Sequence, residues 1–240
     1  MKKLVYAVMG ISIGATLALV LLTYSMPKPK AKVPDARYGP SPITSDTVKM
    51  VQEYTVLISN ESMNDRWRGT GILLSSTTVM TCAHVIPESK RADTLWIYVY
   101  PGDKVVHGKL KFINQPQDIA ILELNTPVSG HRAPVFAKTA ILGEPIVSVG
   151  NIRGYMLWFA SYGIISGEHD RWVLSDAMIR GGNSGGPWAN SKGEIVAMTD
   201  VGWEDGSSAI AGGIPTEKLQ KFLVEAAKKK PSVVYELTGE

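Results

Sequence analysis

The segment GGNSGGP, residues 181–187, surrounds one serine with four glycines and a proline. A serine hydroxyl is a weak nucleophile unless a base lies within hydrogen-bond reach. Glycines allow a tight turn, which could point the N–H groups of residues 182–184 at one place and hold a developing oxyanion there. An ordinary polar turn has the same composition. The segment is therefore either a turn or a nucleophile with its own anion hole.

A nucleophilic serine needs a base, and the chain has four histidines. We select His84 because it lies in MTCAHVI (80–86), a compact segment of small residues after a strand-like run. The base needs an orienting carboxylate, and Asp118 directly precedes the apolar run IAILEL. Taken singly, each residue has a plain alternative: a structural histidine for His84 and a turn-capping aspartate for Asp118.

The elements that would carry these residues are short strands. From about residue 46, short apolar or alternating runs recur between Gly, Pro, Asn and Asp, a pattern that predicts an all-β sandwich or barrel. One stretch, near 216–229, is typical of a helix, with Thr216 as a candidate N-cap and an apolar stripe. Pro231 prevents the helix from continuing.

The first 26 residues predict a membrane segment. Residues 4–24 carry no charge and would span about 30 Å as a helix, which is one hydrocarbon core. We favour an uncleaved single-pass anchor over a cleaved signal peptide, because no convincing cleavage site follows. Lysines flank both ends, so charge alone does not set the orientation.

The chain therefore divides into four parts. Residues 1–26 are the anchor or signal segment, 27–45 a Pro/Lys-rich linker, 46–230 one folded domain and 231–240 a tail. The linker lysines could rest on anionic lipid, or the linker could be simply solvated.

Composition excludes several classes of protein. A net charge of +3 is too small to indicate a nucleic-acid partner. The single cysteine, Cys82, allows no intramolecular disulfide, so the fold must hold by core packing. No CxxC motif or His/Cys cluster occurs in the sequence, and we expect neither a metal site nor a cofactor.

Three segments in the order His, Asp, Ser resemble the trypsin-like (chymotrypsin-fold) serine proteases, most closely their HtrA-type branch. They are TCAHV (81–85), DIAIL (118–122) and GNSGGP (182–187), and the likeness extends over about residues 48–225. The resemblance implies an all-β fold of two chymotrypsin-like barrels with a short C-terminal helix, preceded here by a transmembrane helix. The active site would lie in the cleft between the barrels.

The resemblance also implies roles for individual residues. His84, Asp118 and Ser184 would form the catalytic triad, and Gly182, Asn183 and Ser184 the oxyanion hole. Substrate-binding positions would be Met178, Met198, Thr199 and Asp200. No acid occupies the pocket position that would select Lys or Arg, which favours small or medium apolar side chains at the cleavage site unless Asp200 alters this.

The sequence departs from the family pattern at three places. Asn183 stands where zymogen-activated relatives carry Asp, so we expect control by loop ordering or tethering. About fifteen residues follow the part of the sequence that resembles the family, too few for the PDZ domain of the HtrA branch, so PDZ regulation and large oligomers are not carried over. The run YMLWF (155–159) is unusually apolar; we favour a buried strand over a gate or a membrane-facing patch.

These features predict a membrane-tethered serine endopeptidase that cleaves polypeptides, on the extracytoplasmic or periplasmic side, in protein quality control or in processing. The alternative is a catalytically silent protease fold that serves as a binding or scaffold module. If the pKa of His84 is unperturbed, activity should fall below about pH 6.5.

Overall fold

The computed structural model describes residues 42–60, 68–91, 93–204 and 209–229. The anchor predicted at 1–26, most of the linker and the tail at 231–240 lie outside these residues. Within the described part of the chain, no helix is both long enough and apolar enough to cross a membrane.

Two helices flank the strands. Helix α1 is Ser45–Glu53 and helix α2 is Thr216–Lys229. The sequence pattern predicted only α2, because α1 has just nine residues and its apolar face is short. The hydroxyl of Thr44 accepts a hydrogen bond from the N–H of Thr47 and caps α1, so the domain boundary drawn at residue 46 falls inside this helix.

Helix α2 occupies the predicted range, and its predicted stripe is buried: Leu219, Phe222, Leu223 and Ala226. The N-cap assignment was wrong. Thr216 is the first residue of the helix, and its buried hydroxyl donates to the carbonyl of Ala137 at 3.0 Å. This hydroxyl therefore ties α2 to the connection between the barrels and does not cap the helix.

The strands form two closed barrels, which confirms the predicted all-β two-barrel architecture. The first barrel closes in the order β1-β2-β3-β6-β5-β4, and the second in the order β10-β11-β12-β9-β8-β7. The strands of the first barrel are β1 Thr55–Ser59, β2 Arg68–Ser75, β3 Thr78–Thr81, β4 Leu95–Val99, β5 Lys104–Asn114 and β6 Ile119–Leu124. Those of the second are β7 Pro145–Ile152, β8 Met156–His169, β9 Trp172–Ser175, β10 Pro187–Ala189, β11 Ile195–Glu204 and β12 Ala209–Pro215.

Side chains of the β7–β8 hairpin join the second barrel to the first. The indole N–H of Trp158 donates to the carbonyl of Thr55 at 2.7 Å, and the side-chain amide of Asn151 donates to the carbonyl of Val56 at 3.2 Å. Trp158 is buried, whereas Tyr155 and Met156 are exposed. The YMLWF run is therefore a strand that begins at Met156, with its tryptophan fixing the barrel interface.

Candidate active site

His84 lies directly after β3, in the short helical turn Ala83–Val85. Its ring Nδ1 is 2.6 Å from Oδ2 of Asp118, and its backbone N–H donates to Oδ1 of the same carboxylate at 2.9 Å. Nearly half of the His84 side chain is exposed, and 12% of the Asp118 side chain. The imidazole is thus held from one side while its other edge faces the solvent.

The turn that carries Asp118 has an unusual backbone. Asp118 has a φ of 56°, in the left-handed region that aspartate tolerates better than most residues. Its N–H donates to the carbonyl of Gln115, and its carbonyl accepts from the N–H of Ala83 at 3.1 Å. These contacts explain why an acid at the start of an apolar strand points toward His84 instead of outward.

The two side chains stabilise each other's charged form. Burial alone would lower the pKa of His84, but the hydrogen bond and charge of Asp118, assisted by the charge of Asp200, raise it above its ordinary value. Burial likewise works to raise the pKa of Asp118, but the hydrogen bonds and the charge of His84, assisted by the neighbouring Asp200, leave it below the ordinary value. Asp118 is therefore a carboxylate at neutral pH, and the proton between them resides on Nδ1 of His84.

Ser184 lies in a turn that requires glycine at positions 182 and 185. Gly182 has a φ of 101° and Gly185 a φ of 86°. A Cβ on Gly185 would lie 2.1 Å from the carbonyl oxygen of Thr70 and 3.2 Å from the backbone nitrogen of Cys82. The turn therefore presses against the first barrel, two residues from His84, and the carbonyl of Ser184 accepts the N–H of Thr70 at 2.9 Å.

The N–H groups of this turn have different partners. The carbonyl of Gly181 accepts the N–H of Arg153 at 2.7 Å. Because the C=O and N–H of one trans peptide unit point in opposite directions, the N–H of Gly182 faces away from Arg153. Among the described residues, neither this N–H nor that of Ser184 has an acceptor, whereas the N–H of Asn183 donates to the carbonyl of Arg180 at 3.0 Å. Of the three residues predicted to form the oxyanion hole, Gly182 and Ser184 thus have N–H groups available to a ligand, whereas the N–H of Asn183 is already bonded.

The hydroxyl of Ser184 is hydrogen-bonded to the carbonyl of Asp200, at 3.5 Å. Within the described part of the chain, no hydrogen bond joins this hydroxyl to the ring of His84. Such contacts are often long in ligand-free enzymes and tighten when substrate is bound.

The residues predicted to bind substrate fall into two groups. Met178 is 41% exposed, and Asp200 offers its carbonyl beside Ser184. The side chains of Met198 and Thr199 are buried, and the Thr199 hydroxyl accepts the indole N–H of Trp188 at 2.9 Å. This part of β11 is therefore covered on both faces, and the substrate-binding role of Met198 and Thr199 stays a prediction.

Three residues that the sequence pattern did not single out support the site: Thr70, Asn151 and Arg171. The Thr70 hydroxyl donates to the carbonyl of Gly182 at 2.7 Å and accepts the backbone N–H of Asn151 at 3.0 Å and its side-chain amide at 3.2 Å. Thr70 lies on β2, outside the three segments that carry the resemblance. Arg171 had no local signal, since its partners lie 29 and 55 residues away in the chain.

The fold also gathers a cluster that the sequence spacing does not suggest. Cys82, His84, Asp118 and Asp200 place one polar atom each within 4.8 Å of one another. Burial, followed by the charges of Asp118 and Asp200, raises the pKa of the Cys82 thiol well above its ordinary value. The thiol thus keeps its proton and donates to the carbonyl of Thr199 at 3.1 Å. The thiol of Cys82 and the carboxylate of Asp118 are already engaged in hydrogen bonds to Thr199 and His84, so we interpret the group as a cluster of interacting polar groups around His84.

Comparisons with known proteins place the chain in a family. The family model described as a trypsin-like peptidase domain matches residues 69–198, more than half of the chain. A putative serine protease HhoB from Synechocystis sp. is 30% identical over 152 residues, 58% of this chain and 35% of its own. A serine protease described as HtrA-like, from Staphylococcus haemolyticus, is 26% identical over 222 residues, 82% of this chain and 34% of its own.

A probable periplasmic serine protease from Haemophilus influenzae is 28% identical over 176 residues, 67% of this chain and 36% of its own. The chain thus spans about a third of the length of these curated relatives. The crystal structure of a serine endoprotease from Yersinia pestis superposes with a TM-score of 0.66 at 24% identity, over 78% of this chain and 68% of that one. This structural likeness supports the two-barrel fold.

Proposed function

Because the chain belongs to the family of trypsin-like peptidase domains, we propose that it is an HtrA-type serine endopeptidase that hydrolyses peptide bonds with His84, Asp118 and Ser184. The observation that carries the proposal is the 2.6 Å contact between Nδ1 of His84 and Oδ2 of Asp118, held beside the turn of Ser184. No cofactor takes part in the proposed reaction.

Each residue has a distinct step. The hydroxyl of Ser184 attacks the carbonyl carbon of the substrate, and Nε2 of His84 accepts its proton and later passes it to the leaving amine. Asp118 holds the proton on Nδ1, which leaves Nε2 free as the base, and its charge stabilises the imidazolium. The second contact of Asp118, to the backbone N–H of His84, fixes the carboxylate relative to the ring.

The tetrahedral oxyanion is proposed to lie against the N–H groups of Gly182 and Ser184. The hydrogen bond from Arg153 to the carbonyl of Gly181 supports this assignment, since it turns the N–H of Gly182 in the opposite direction. Removing one such donor typically lowers turnover about 100- to 1000-fold.

We further propose that the polypeptide substrate lies extended beside β11. The carbonyl of Asp200 is the acceptor nearest to the nucleophile and could pair with a substrate N–H. The exposed side chain of Met178, together with exposed Tyr162 and Ile164 on β8, favours apolar side chains at the cleavage site.

The uncharged residues 4–24 support a membrane-tethered enzyme, and the periplasmic relative supports an extracytoplasmic site of action. Alkaline carbonate extraction of membranes that contain the full chain tests the tether. Retention in the pellet is expected, and release into the supernatant would exclude a spanning anchor.

A fluorophosphonate probe tests the catalytic proposal directly. The full chain should be labelled at Ser184, with one probe per molecule by mass, and should cleave unfolded casein. The Ser184→Ala variant should do neither, whereas His84→Ala should keep the fold and lose both activities. Cleavage by the Ser184→Ala variant would contradict the proposal.

A second candidate function is a silent binding module on the same fold. The observation that favours it is the lack of a hydrogen bond between Ser184 and His84 in the described part of the chain. This candidate predicts that the full chain stays unlabelled and inactive at every pH, with unfolded casein present or absent.

A further inference from the structure

Asp200 brings a second carboxylate to His84 from the opposite barrel. Its Oδ1 lies 4.0 Å from Nδ1 of His84, and 4% of its side chain is exposed. Its Oδ2 accepts a hydrogen bond from Nη2 of Arg171 at 3.0 Å and another from the indole N–H of Trp172. Both donors belong to the β8–β9 turn and the start of β9, so the second barrel supplies the whole arrangement.

Arg171 connects this carboxylate to the turn that carries Asp118. Its Nη1 donates to the carbonyl of Pro116 at 2.9 Å, two residues before Asp118. The guanidinium lies 4.8 Å from the ring centre of Trp172, and the Arg171 carbonyl accepts the ammonium of Lys218 at 2.8 Å. One guanidinium therefore spans both barrels and is oriented by contacts on each side.

The charged and titratable groups around His84 come from four places in the fold. Asp118 lies on the β5–β6 turn, Asp200 on β11, Arg171 on the β8–β9 turn, and the neutral thiol of Cys82 follows β3. Asp118 and Asp200 each place a carboxylate oxygen within 4.8 Å of the other, and two carboxylates so close and so little exposed do not both ionise freely. Arg171 forms an ion pair with Asp200 at 3.0 Å and so offsets part of this negative charge.

These interactions act on the pKa values in opposite directions. Burial and the neighbouring Asp118 raise the pKa of Asp200 to about 6, against the opposing effects of Trp172 and Arg171. The charge of Asp200 helps to raise the pKa of His84, and the charge of Arg171 lowers it. The charge that Asp200 carries therefore acts on the histidine that it faces.

We propose that Asp200 and Arg171 form a positioning pair that orients the His84–Asp118 unit across the barrel interface and sets the pH at which His84 gains its proton. Asp200 does not touch the reacting atoms through its side chain; it acts through His84 and Asp118. The proposal goes beyond the proposed function, and it rests on that function only in taking His84 to be the base.

The proposal predicts the sign of each change. Asp200→Asn removes a negative charge from the neighbourhood of His84, so the pKa of His84 should fall. In the Asp200→Asn background, Arg171→Gln removes a positive charge with no Asp200 carboxylate left to respond, so the pKa of His84 should rise again. A contact that only supported the fold would not produce shifts of opposite sign.

The test is a proton–carbon NMR titration of the histidine rings in the full chain between pH 4.5 and 9. The His84 signal is assigned by its absence in His84→Gln. We expect Asp200→Asn to lower the pKa of His84 by at least about half a unit. Asp170→Asn is the matched control, because Asp170 is an exposed carboxylate next to Arg171, and it should leave His84 unchanged. Asp200→Ser, also neutral, should give the same downward shift if Asp200→Asn does not fold.

The activity arm measures kcat and KM for an uncharged peptide substrate over the same pH range. The acidic limb of the kcat profile should move to lower pH in Asp200→Asn, in step with the NMR value, while KM changes little. An unchanged His84 pKa in both neutral variants would overturn the proposal even if all proteins cleave peptide. A shifted pKa in proteins that never cleave peptide would support the proposal and contradict the proposed function.

Discussion

The hydroxyl of Thr70 donates to the carbonyl of Gly182 at 2.7 Å, so a strand of the first barrel holds the Ser184 turn of the second barrel. The same oxygen accepts hydrogen bonds from the backbone N–H of Asn151 at 3.0 Å and from its side-chain amide at 3.2 Å. A hydroxyl has one proton and two lone pairs, and Thr70 uses all three. The geometry of the proposed oxyanion hole therefore depends on a residue outside the catalytic motifs.

Replacing Thr70 by Val should lower the activity while leaving the packing of the side chain nearly unchanged. The change keeps the side-chain volume but leaves the carbonyl of Gly182 and the amide of Asn151 without their partner. We expect kcat/KM to fall about 10- to 100-fold, from a loss of about 1–3 kcal/mol. Thr70→Ser keeps the hydroxyl and should retain most of the activity. Equal activities of the Val and Ser variants would show that the hydroxyl is not needed.

Gly182→Ala should disrupt the proposed hole. Gly182 has a φ of 101°, and a Cβ there would lie 2.3 Å from the carbonyl oxygen of Asn151. The turn must move to relieve this contact, which displaces the N–H donor. We expect fluorophosphonate labelling and peptide cleavage to fall at least about 100-fold.

The neighbouring Gly181 provides the matched control for this change. A Cβ on Gly181 meets no atom within 4 Å, and its φ is not positive. Gly181→Ala should therefore label at close to the parental rate. If both alanine variants retain full activity, the N–H of Gly182 does not bind the oxyanion.

Activity should be lost on acidification at a higher pH than an unperturbed histidine would give. The pKa of His84 is raised above 6.5, so its imidazolium persists to higher pH, and only the neutral ring is a base. The acidic limb of kcat/KM should therefore have its midpoint above pH 6.5, in place of the value expected from the sequence. A pH series on an uncharged peptide measures the midpoint, and a value at or below 6.5 would contradict the geometry of the His84–Asp118 pair.

Asn183→Asp should destabilise the fold in a pH-dependent manner. Asn183 is 1% exposed, and its Oδ1 has no hydrogen-bond partner among the described residues. Burial would raise the pKa of an aspartate there above its unfolded value of about 3.9. Relative stability is then lost as the pH rises from about 3.9 through the folded-state pKa.

Thermal unfolding at pH 5 and pH 8 measures this effect. We expect the melting temperature of Asn183→Asp to fall further below the parent at pH 8 than at pH 5. Asn183→Leu, of similar shape and without charge, should shift the melting temperature equally at both values. An Asn183→Asp variant as stable as the parent at pH 8 would reveal a cationic partner for this position.

The sequence was most informative where chemistry is local. The strands, the helix at 216–229 and the segments around His84, Asp118 and Ser184 all follow from short patterns. By contrast, the guanidinium of Arg171 donates to the β5–β6 connection and to Asp200 on β11, and only the closure of both barrels brings these two partners together. No periodic pattern in the sequence predicts these contacts of Arg171.

The sequence could not show which side chains of β11 are accessible, because this strand is buried on both faces. Met198 and Thr199 are adjacent on β11 and point in opposite directions, yet both are buried, because one face lies in the barrel and the other against neighbouring elements. Period-two alternation separates solvent from core and cannot indicate which of two covered faces meets a substrate. The orientation of the Gly182 N–H likewise depends on the hydrogen bond from Arg153 to the carbonyl of Gly181. The glycine pattern does not predict this bond.

Cys82 lies where the two barrels meet, and its position has a practical consequence. Cys82 is fully buried, its thiol is protonated, and it is the sole sulfhydryl in the chain. Alkylating reagents attack thiolates that they can reach, so the native protein should resist maleimide until the two barrels separate. The rate of its modification would then report the opening of the interface in solution, without a label or a mutation, and would measure how strongly a bound inhibitor holds the barrels together.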